Sequence, residues 1–233
     1  MKKIITLSIF VLAFAISKAQ VCDYWYPLKQ GNHFSWNNFN SKGKLTGTNE
    51  YTVTASSNEG TASVFTVHSV VKDDKGKEQV SSDMQMKCAD NSLLIDMKNF
   101  IPQQSMDAYK DMQLSFTGNT LSFPSSLTVG AKLPDGTITM TVNSSSMEIA
   151  TIVVNIKDRK IEGEESITTT AGTFNCYKIS STTESVTTTM GIKIPFTMKS
   201  IEYYSAGNGL IKSESFSKDS KPMGYMELAS VNK

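Results

Sequence analysis

Apolar and polar residues alternate with a period of two in one short segment after another along this chain of 233 residues. The clearest of these segments are 51–54, 63–71, 79–88, 138–142, 149–156, 174–180 and 198–204. They are rich in Val, Ile, Thr, Tyr and Phe, the residues that favour strands. Such alternation is typical of a strand with one buried face and one exposed face. The pattern therefore predicts a chain built almost entirely of half-buried strands.

Short polar segments that contain glycine separate the predicted strands. Residues 72–77, 117–120 and 133–136 each combine Gly with Asp or Asn, which is typical of tight turns that join two strands. Connections this short make consecutive strands antiparallel neighbours. The fold class predicted is all-β, with antiparallel strands in a sandwich or in curved half-barrel sheets.

One stretch departs from the two-residue period. Between Pro102 and Met112 the apolar side chains recur every three residues, and the proline suits the first turn of a helix. We expect one short helix near residues 102–112. Residues 122–126, with a proline and three serines, are predicted to form a loop at a boundary.

Two passages on either side of that boundary are alike. Gly60-Thr61 precedes a strand and then the sequence Ala-Asp-Asn-Ser-Leu at 89–93, and Gly172-Thr173 precedes a strand and then Ala-Gly-Asn-Gly-Leu at 206–210. A recurring unit of this kind indicates an internal repeat. We interpret the chain as two related β halves, residues 20–121 and 122–233.

The first 19 residues are typical of a secretory signal peptide. Lys2 and Lys3 precede an uncharged apolar run over residues 4–16, and Ser17 and Ala19 are the small residues of a cleavage site. The run is too short to span a bilayer. A lipid anchor on Cys22 is the alternative, but the preceding Val21 is larger than the residue such a site requires. We expect export to the periplasm, the cell surface or the medium, without acylation.

Charge and motifs exclude several classes of function. The chain has 23 basic and 22 acidic residues, so it lacks the positive surface expected for nucleic acid or for anionic membranes. The two histidines, His33 and His68, have no nucleophile motif beside them, and no cofactor motif is present. We therefore expect a protein that is not an enzyme. Glu162 and Glu164, which share a strand face, keep a glycan-acting hydrolase open as an alternative.

Sulfur and aromatic side chains supply two further candidate sites. Met84, Met86 and Cys88 share one strand face, and with His68 they form a candidate Cu(I) site, although core packing is the simpler interpretation. Rings are concentrated near the mature start, where Tyr24, Trp25 and Trp36 are candidate ligand-binding aromatics if they stand exposed. The simpler interpretation is that the rings bury one strand face. We predict no metal and no cofactor.

Three cysteines in an oxidising compartment allow one disulfide and one free thiol. Cys176 lies inside an alternating segment and is expected to pack as a small apolar side chain. Cys22 lies in a terminal tail, and Cys88 ends a strand that such a tail can reach. We therefore predict a Cys22–Cys88 disulfide, with Cys176 free and buried.

Five segments together resemble the TapB-like family of exported Bacteroidetes proteins, which is related to a domain family of unknown function. They are residues 26–31, 74–77, 171–179, 207–214 and 224–228. The resemblance implies an envelope or secreted β protein and supplies no residue with a catalytic role. The leading hypothesis is a non-catalytic protein that binds an envelope partner protein or an apolar ligand. The alternatives are the hydrolase above and a structural accessory of a secretion or surface assembly.

Overall fold

The computed structural model describes residues 25–145 and 147–232, and thirteen strands account for most of this part of the chain. The first seven strands are β1 His33–Asn40, β2 Leu45–Glu59, β3 Ala62–Asp73, β4 Glu78–Ala89, β5 Ser92–Asp96, β6 Gln113–Gly118 and β7 Thr120–Pro124. The other six are β8 Gly136–Ser144, β9 Met147–Thr169, β10 Gly172–Thr189, β11 Ile192–Ser205, β12 Gly209–Ser217 and β13 Pro222–Asn232.

All thirteen strands belong to one antiparallel sheet. Its order is β6-β8-β9-β10-β11-β12-β13-β1-β2-β3-β4-β5-β7, so most neighbours in the sheet are joined by hairpins. The first and last strands, β1 and β13, pair near the middle. The edge strands β6 and β7 follow each other in the sequence, which requires the sheet to curve until its two edges approach. The predicted all-β class, with curved antiparallel strands, is confirmed.

The prediction that residues 117–120 join antiparallel neighbours is wrong. β6 pairs with β8 and β7 pairs with β5, although Asn119 alone separates β6 from β7. The reason is that Asn119 bonds to the start of β8 instead. Its backbone N–H donates to the Thr137 carbonyl, and its side-chain oxygen accepts from the Thr137 N–H at 2.7 Å. Residues 133–136 likewise form no tight hairpin, because 133–135 end a longer connection, 125–135, and Gly136 begins β8.

The predicted helix is present but shorter than expected. A 3-10 turn, Met97–Phe100, precedes α1, Gln103–Ala108, and Tyr109 leaves the helical conformation. The predicted loop at 122–126 begins late, because residues 122–124 lie in β7, where Phe123 is buried. The boundary predicted between 121 and 122 thus falls inside β7. The relation between the two halves stays a prediction, and the signal peptide lies outside the described residues.

An arginine joins the two edges of the curved sheet. Arg159 is 3% exposed, and its Nη1 donates to the Ser122 carbonyl of β7 at 2.9 Å and to the Pro134 carbonyl at 2.6 Å. Its guanidinium also lies 4.6 Å from the centre of the Phe123 ring. Since β7 is one edge of the sheet and β9 lies near the other, these contacts hold the edges together. Among the described residues, no helix is long and apolar enough to cross a membrane.

Cys176 is free and buried, as predicted. Burial, with a smaller contribution from the charge of Glu165, raises the pKa of the Cys176 thiol to about 11. At pH 8 the reactive thiolate is therefore about a thousandth of the population. We expect iodoacetamide to alkylate Cys176 slowly at pH 8 in the native protein and rapidly in urea, as measured by intact mass. Fast alkylation of the native thiol would show that this side chain is accessible.

Candidate functional site

Five large apolar side chains stand exposed at the ends of two neighbouring hairpins. They are Met147 (70% exposed), Met190 (92%), Ile192 (64%), Ile194 (56%) and Phe196 (49%), and we call them the hairpin-tip patch. Met147 begins β9 after the β8–β9 turn, and Met190 lies in the β10–β11 turn. The two ends are adjacent, because the Met190 N–H donates to the Ile149 carbonyl. Contiguous exposed apolar side chains of this kind mark interaction surfaces on soluble proteins.

The same segment is an unpaired edge within the sheet. β11 pairs with β10 from Ile192 to Tyr204, but its pairing with β12 begins only at Met198. Within the described residues, 192–197 therefore have a strand on one side only. Ile192, Ile194 and Phe196 alternate along the strand, so they share one face beside that edge. The patch thus combines an apolar face with backbone groups that lack a neighbouring strand.

The turn that carries Met190 has an unusual residue for its geometry. Met190 has φ 49° and Gly191 has φ 78°, and two consecutive positive φ angles define a type I′ hairpin turn. The first position of this turn favours Asn, Asp or Gly, because other side chains are strained in the left-handed region. A long apolar side chain is therefore kept at this position at some cost in stability, which is typical of a functional site.

The ring residues singled out in the sequence lie elsewhere. Trp25 and Trp36 are 2% and 1% exposed, so the alternative in which these rings stand at the surface is wrong. Each indole N–H donates to a backbone carbonyl, Trp25 to Pro124 at 2.7 Å and Trp36 to Leu210 at 2.8 Å. The rings pack with other aromatics in the core, which is the simpler interpretation given above. Tyr24 lies outside the described residues.

The paired acids of the sequence both lie on the surface of β9, where the contacts of Glu162 bear on one catalytic role. Glu162 and Glu164 are both exposed on β9. Glu162 accepts from Lys160 Nζ and from the Ser180 hydroxyl, each at 2.7 Å. These two hydrogen bonds, first that from Lys160, hold the pKa of Glu162 below its usual range. The acid of a glycosidase pair needs a raised pKa, so Glu162 is poorly suited to that role.

His68 does not lie beside Met84, Met86 and Cys88. Met86 and Cys88 are buried on the core face of β4. His68 lies opposite Asp83 in the β3–β4 register, so it occupies the other face of the sheet. Its Nδ1 lies 2.7 Å from the Asp83 carboxylate. The proposed Cu(I) site that includes His68 is therefore wrong.

The predicted disulfide involves a residue outside the described part of the chain. Cys22 precedes residue 25, where the described chain begins, so the Cys22–Cys88 pairing stays a prediction. Cys88 itself is buried near the end of β4.

Sequence reasoning missed the hairpin-tip patch. The alternation at 192–196 is the same pattern that marks a buried strand face, and period alone does not say whether another element covers that face. A usable signal was present in the turn, because Met-Gly at 190–191 replaces the Asn-Gly or Asp-Gly that a hairpin favours.

Solved structures with the same architecture come from two Bacteroidetes species. A candidate exported protein of Bacteroides fragilis with a YmcC-like fold is 21% identical, with a TM-score of 0.67 over 90% of this chain and 99% of that one. A candidate lipoprotein of Parabacteroides distasonis is 20% identical, with a TM-score of 0.69 over 90% of this chain and 98% of that one. At this identity the likeness shows the fold.

One family model matches most of the chain. The model of the family described as DUF3108-like matches residues 29–228, which include every described strand from β1 to β12 and most of β13. None of the curated proteins matches the chain.

Proposed function

The chain belongs to the DUF3108-like family, and we propose that it is an exported, non-catalytic protein that binds a partner protein of the envelope through the hairpin-tip patch. The observation that carries this proposal is the exposed apolar face of Ile192, Ile194 and Phe196 beside an unpaired strand edge. Export is supported by the pattern of the first 19 residues and by the descriptions of the two similar structures. The closer resemblance to the TapB-like family is part of the same proposal.

A protein suits this surface better than lipid does. Residues 192–197 present backbone N–H and C=O groups on the side where β12 has ended. Hydrocarbon offers no hydrogen-bond partner for such groups, so open sheet edges do not occur within the lipid core. A protein surface can cover the apolar side chains. It can also bond to the backbone groups of 192–197 or leave them in contact with water. The unpaired edge therefore favours a protein over a membrane as the occupant.

Pro195 makes simple strand pairing between two copies of the chain unfavourable. It lies in the middle of the open segment, opposite Val186 of β10, and has no N–H to donate. Proline in an edge strand is one of the devices that prevent edge-to-edge association. We therefore place the recognition mainly in the side chains of the patch, with a different protein as the partner.

The test is purification of the tagged protein from its own cells, followed by reconstitution with the separately purified partner. The test variant is the pair Ile194→Ser and Phe196→Ser, and the matched control is Val129→Ser, since Val129 is 51% exposed and lies outside the patch. We expect one stoichiometric partner to bind the wild type and the control. The double variant is expected to bind at least 10-fold more weakly, because it removes two large apolar contacts.

Three outcomes would overturn the proposal. One is an unchanged affinity of the reconstituted complex for the double variant. The second is a wild-type protein that forms dimers by light scattering, with the double variant monomeric. The third is a wild-type protein that sediments with vesicles of phosphatidylethanolamine and phosphatidylglycerol, with a double variant that does not.

Replacing Met190 by asparagine separates binding from folding. Asparagine tolerates positive φ, so Met190→Asn is expected to raise the free energy of unfolding by about 0.5 to 1 kcal/mol. It also removes the most exposed side chain of the patch, so we expect weaker partner binding. Urea unfolding and the binding assay above measure the two effects. A variant that is both less stable and fully active in binding would contradict this explanation of the turn.

A further inference from the structure

A groove of about 370 Å³ opens on the side of the sheet that faces away from the core. Ser180 and Thr182 of β10 line it, and they alternate with the buried Ile179 and Ser181. Lys199 and Ile201 of β11 and Phe216 of β12 also line it, as do Asp158, Ser220 and the buried Ser181 and Ser200. Its volume lies within the range of small-molecule sites.

A bulge in β9 brings Asp158 to this groove. Lys157 pairs with Thr182 and Lys160 pairs with Ser180, so two residues, Asp158 and Arg159, oppose Ser181 alone. Asp158 takes a φ of 55° and stays exposed, while Arg159 turns into the core. Bulges that re-aim side chains are frequent beside binding sites. The irregularity thus places a carboxylate at the groove and an arginine behind it.

A second groove of about 150 Å³ begins on the other side of the same phenylalanine. Phe216 lines both grooves, and Ser41, Glu214, Pro222 and Tyr225 are among the residues that line the second one. The ring is half-buried, so it is fixed in place while part of its surface stays accessible. The two grooves are therefore adjacent halves of one surface with an aromatic ring at its centre.

The lining indicates the class of ligand. The hydroxyls of Ser180, Thr182 and Ser220 can bond to a ligand rich in hydroxyl groups. Within the protein the Ser180 hydroxyl donates to Glu162 and the Ser220 oxygen accepts from Lys199 Nζ at 3.2 Å, so Ser180 can still accept and Ser220 can still donate. Asp158 accepts only and Lys199 donates only, so such a ligand meets both kinds of partner. An anionic ligand is disfavoured, because Asp158 opposes it and Lys199 is the single lysine in the two linings; Glu214 is already ion-paired with Lys212 at 2.7 Å. A purely apolar ligand would shield the Asp158 carboxylate from water without offering it a partner.

We propose that this double groove binds a neutral oligosaccharide, with one sugar ring stacked on Phe216. The C–H face of a sugar packs on an aromatic ring, while its hydroxyls bond to the side chains around it. The extension on both sides of the ring fits a chain longer than a single sugar. The inference does not rest on the partner proposal, since it uses none of the residues of the hairpin-tip patch.

The test is a titration of the isotope-labelled protein with maltohexaose, cellohexaose and chitohexaose at up to about 10 mM, followed by NMR. Amide shifts of Ser180, Thr182, Lys199 and Phe216 are expected to move with at least one of the three sugars. Phe216→Ala and Asp158→Asn are each expected to weaken that binding at least 10-fold, and asparagine keeps the positive φ of residue 158. Met223→Ala is the control, because Met223 is exposed and lines neither groove.

Each outcome of this titration either supports or overturns the oligosaccharide proposal. Thermal unfolding first establishes that each variant is folded. No shift change at the groove with any of the three sugars would overturn the proposal. So would binding that Phe216→Ala and Asp158→Asn both leave unchanged, or binding of polygalacturonate in place of the neutral sugars.

Discussion

Arg159→Leu is expected to lower the free energy of unfolding by about 3 kcal/mol. The substitution removes both hydrogen bonds that Nη1 donates, to the carbonyls of Ser122 and Pro134, and leaves two acceptors without that donor. It also removes the contact of the cation with the Phe123 ring. Since these contacts join the edges of the sheet, hydrogen exchange in β7 should accelerate more than exchange in β12. Urea unfolding measures the loss of stability.

The loss of stability caused by Arg159→Leu is expected to depend on pH through Glu202. Burial raises the pKa of this carboxyl, and the charge of Arg159 lowers it again. Without Arg159 the pKa in the folded state rises further above the unfolded value, so the fold loses more stability as pH increases and Glu202 ionises. The destabilisation should therefore be largest at neutral pH and smaller near pH 4. A loss that grows as the pH falls would contradict this account.

Lys132→Leu is the matched control for Arg159→Leu. Lys132 is exposed in the connection before β8, so its replacement should change the free energy of unfolding by less than about 0.5 kcal/mol. Equal effects of the two substitutions would show that the buried guanidinium does not join the edges.

Gly209→Ala is the second change with a large expected effect, again about 3 kcal/mol of lost stability. Gly209 has φ 78°, and a Cβ at this position would meet the ring of Tyr26. Tyr26 is buried, and its hydroxyl oxygen accepts from the Leu210 N–H at 3.2 Å. Because Tyr26 is buried and packs edge-to-face against Phe34, the methyl group is expected to displace either the turn or the segment that contains Tyr26. Thermal and urea unfolding measure the result.

The neighbouring Gly207 supplies the control for Gly209. It has φ 70° in the same turn, but a Cβ there meets nothing within 4 Å. Gly207→Ala should therefore cost only the backbone strain, about 1 kcal/mol. In a Tyr26→Ala background, the loss of free energy of unfolding caused by Gly209→Ala should also fall to about 1 kcal/mol, because the clash with the ring is gone. If Gly209→Ala lowers the free energy of unfolding equally with Tyr26 and with Ala at position 26, the contact with Tyr26 would be refuted.

The alternation of apolar residues predicted the strands well and their arrangement only in part. Segments such as 63–71 and 149–156 lie in β3 and β9, because a two-residue period reports directly on a strand with one buried face. The pairing of β1 with β13 and the separation of β6 from β7 depend on contacts distant in sequence. Those contacts include Asn119 with Thr137 and Arg159 with Ser122, which no local pattern encodes.

The candidate site was beyond the sequence pattern for a related reason. Ile192, Ile194 and Phe196 alternate like a core face, yet they are exposed, on the part of β11 that precedes its pairing with β12 at Met198. Conversely, Trp25 and Trp36 are the residue types that often form binding surfaces, yet they are the largest fully buried side chains of the core. Residue type and period predict which face of a strand is apolar. Which apolar faces are covered depends on how the strands pack in the folded protein.

Hydrogen exchange in the native complex, compared with the purified protein alone, tests the partner-binding proposal most directly. In the free protein, amides in 192–197 should exchange faster than those in 200–204, which have strands on both sides. In the complex purified from the source cells, we predict slower exchange at 192–197 and in the turn at 190–191. Unchanged exchange in these residues, with new protection confined to another part of the sheet, would contradict the assignment of the hairpin-tip patch as the binding surface.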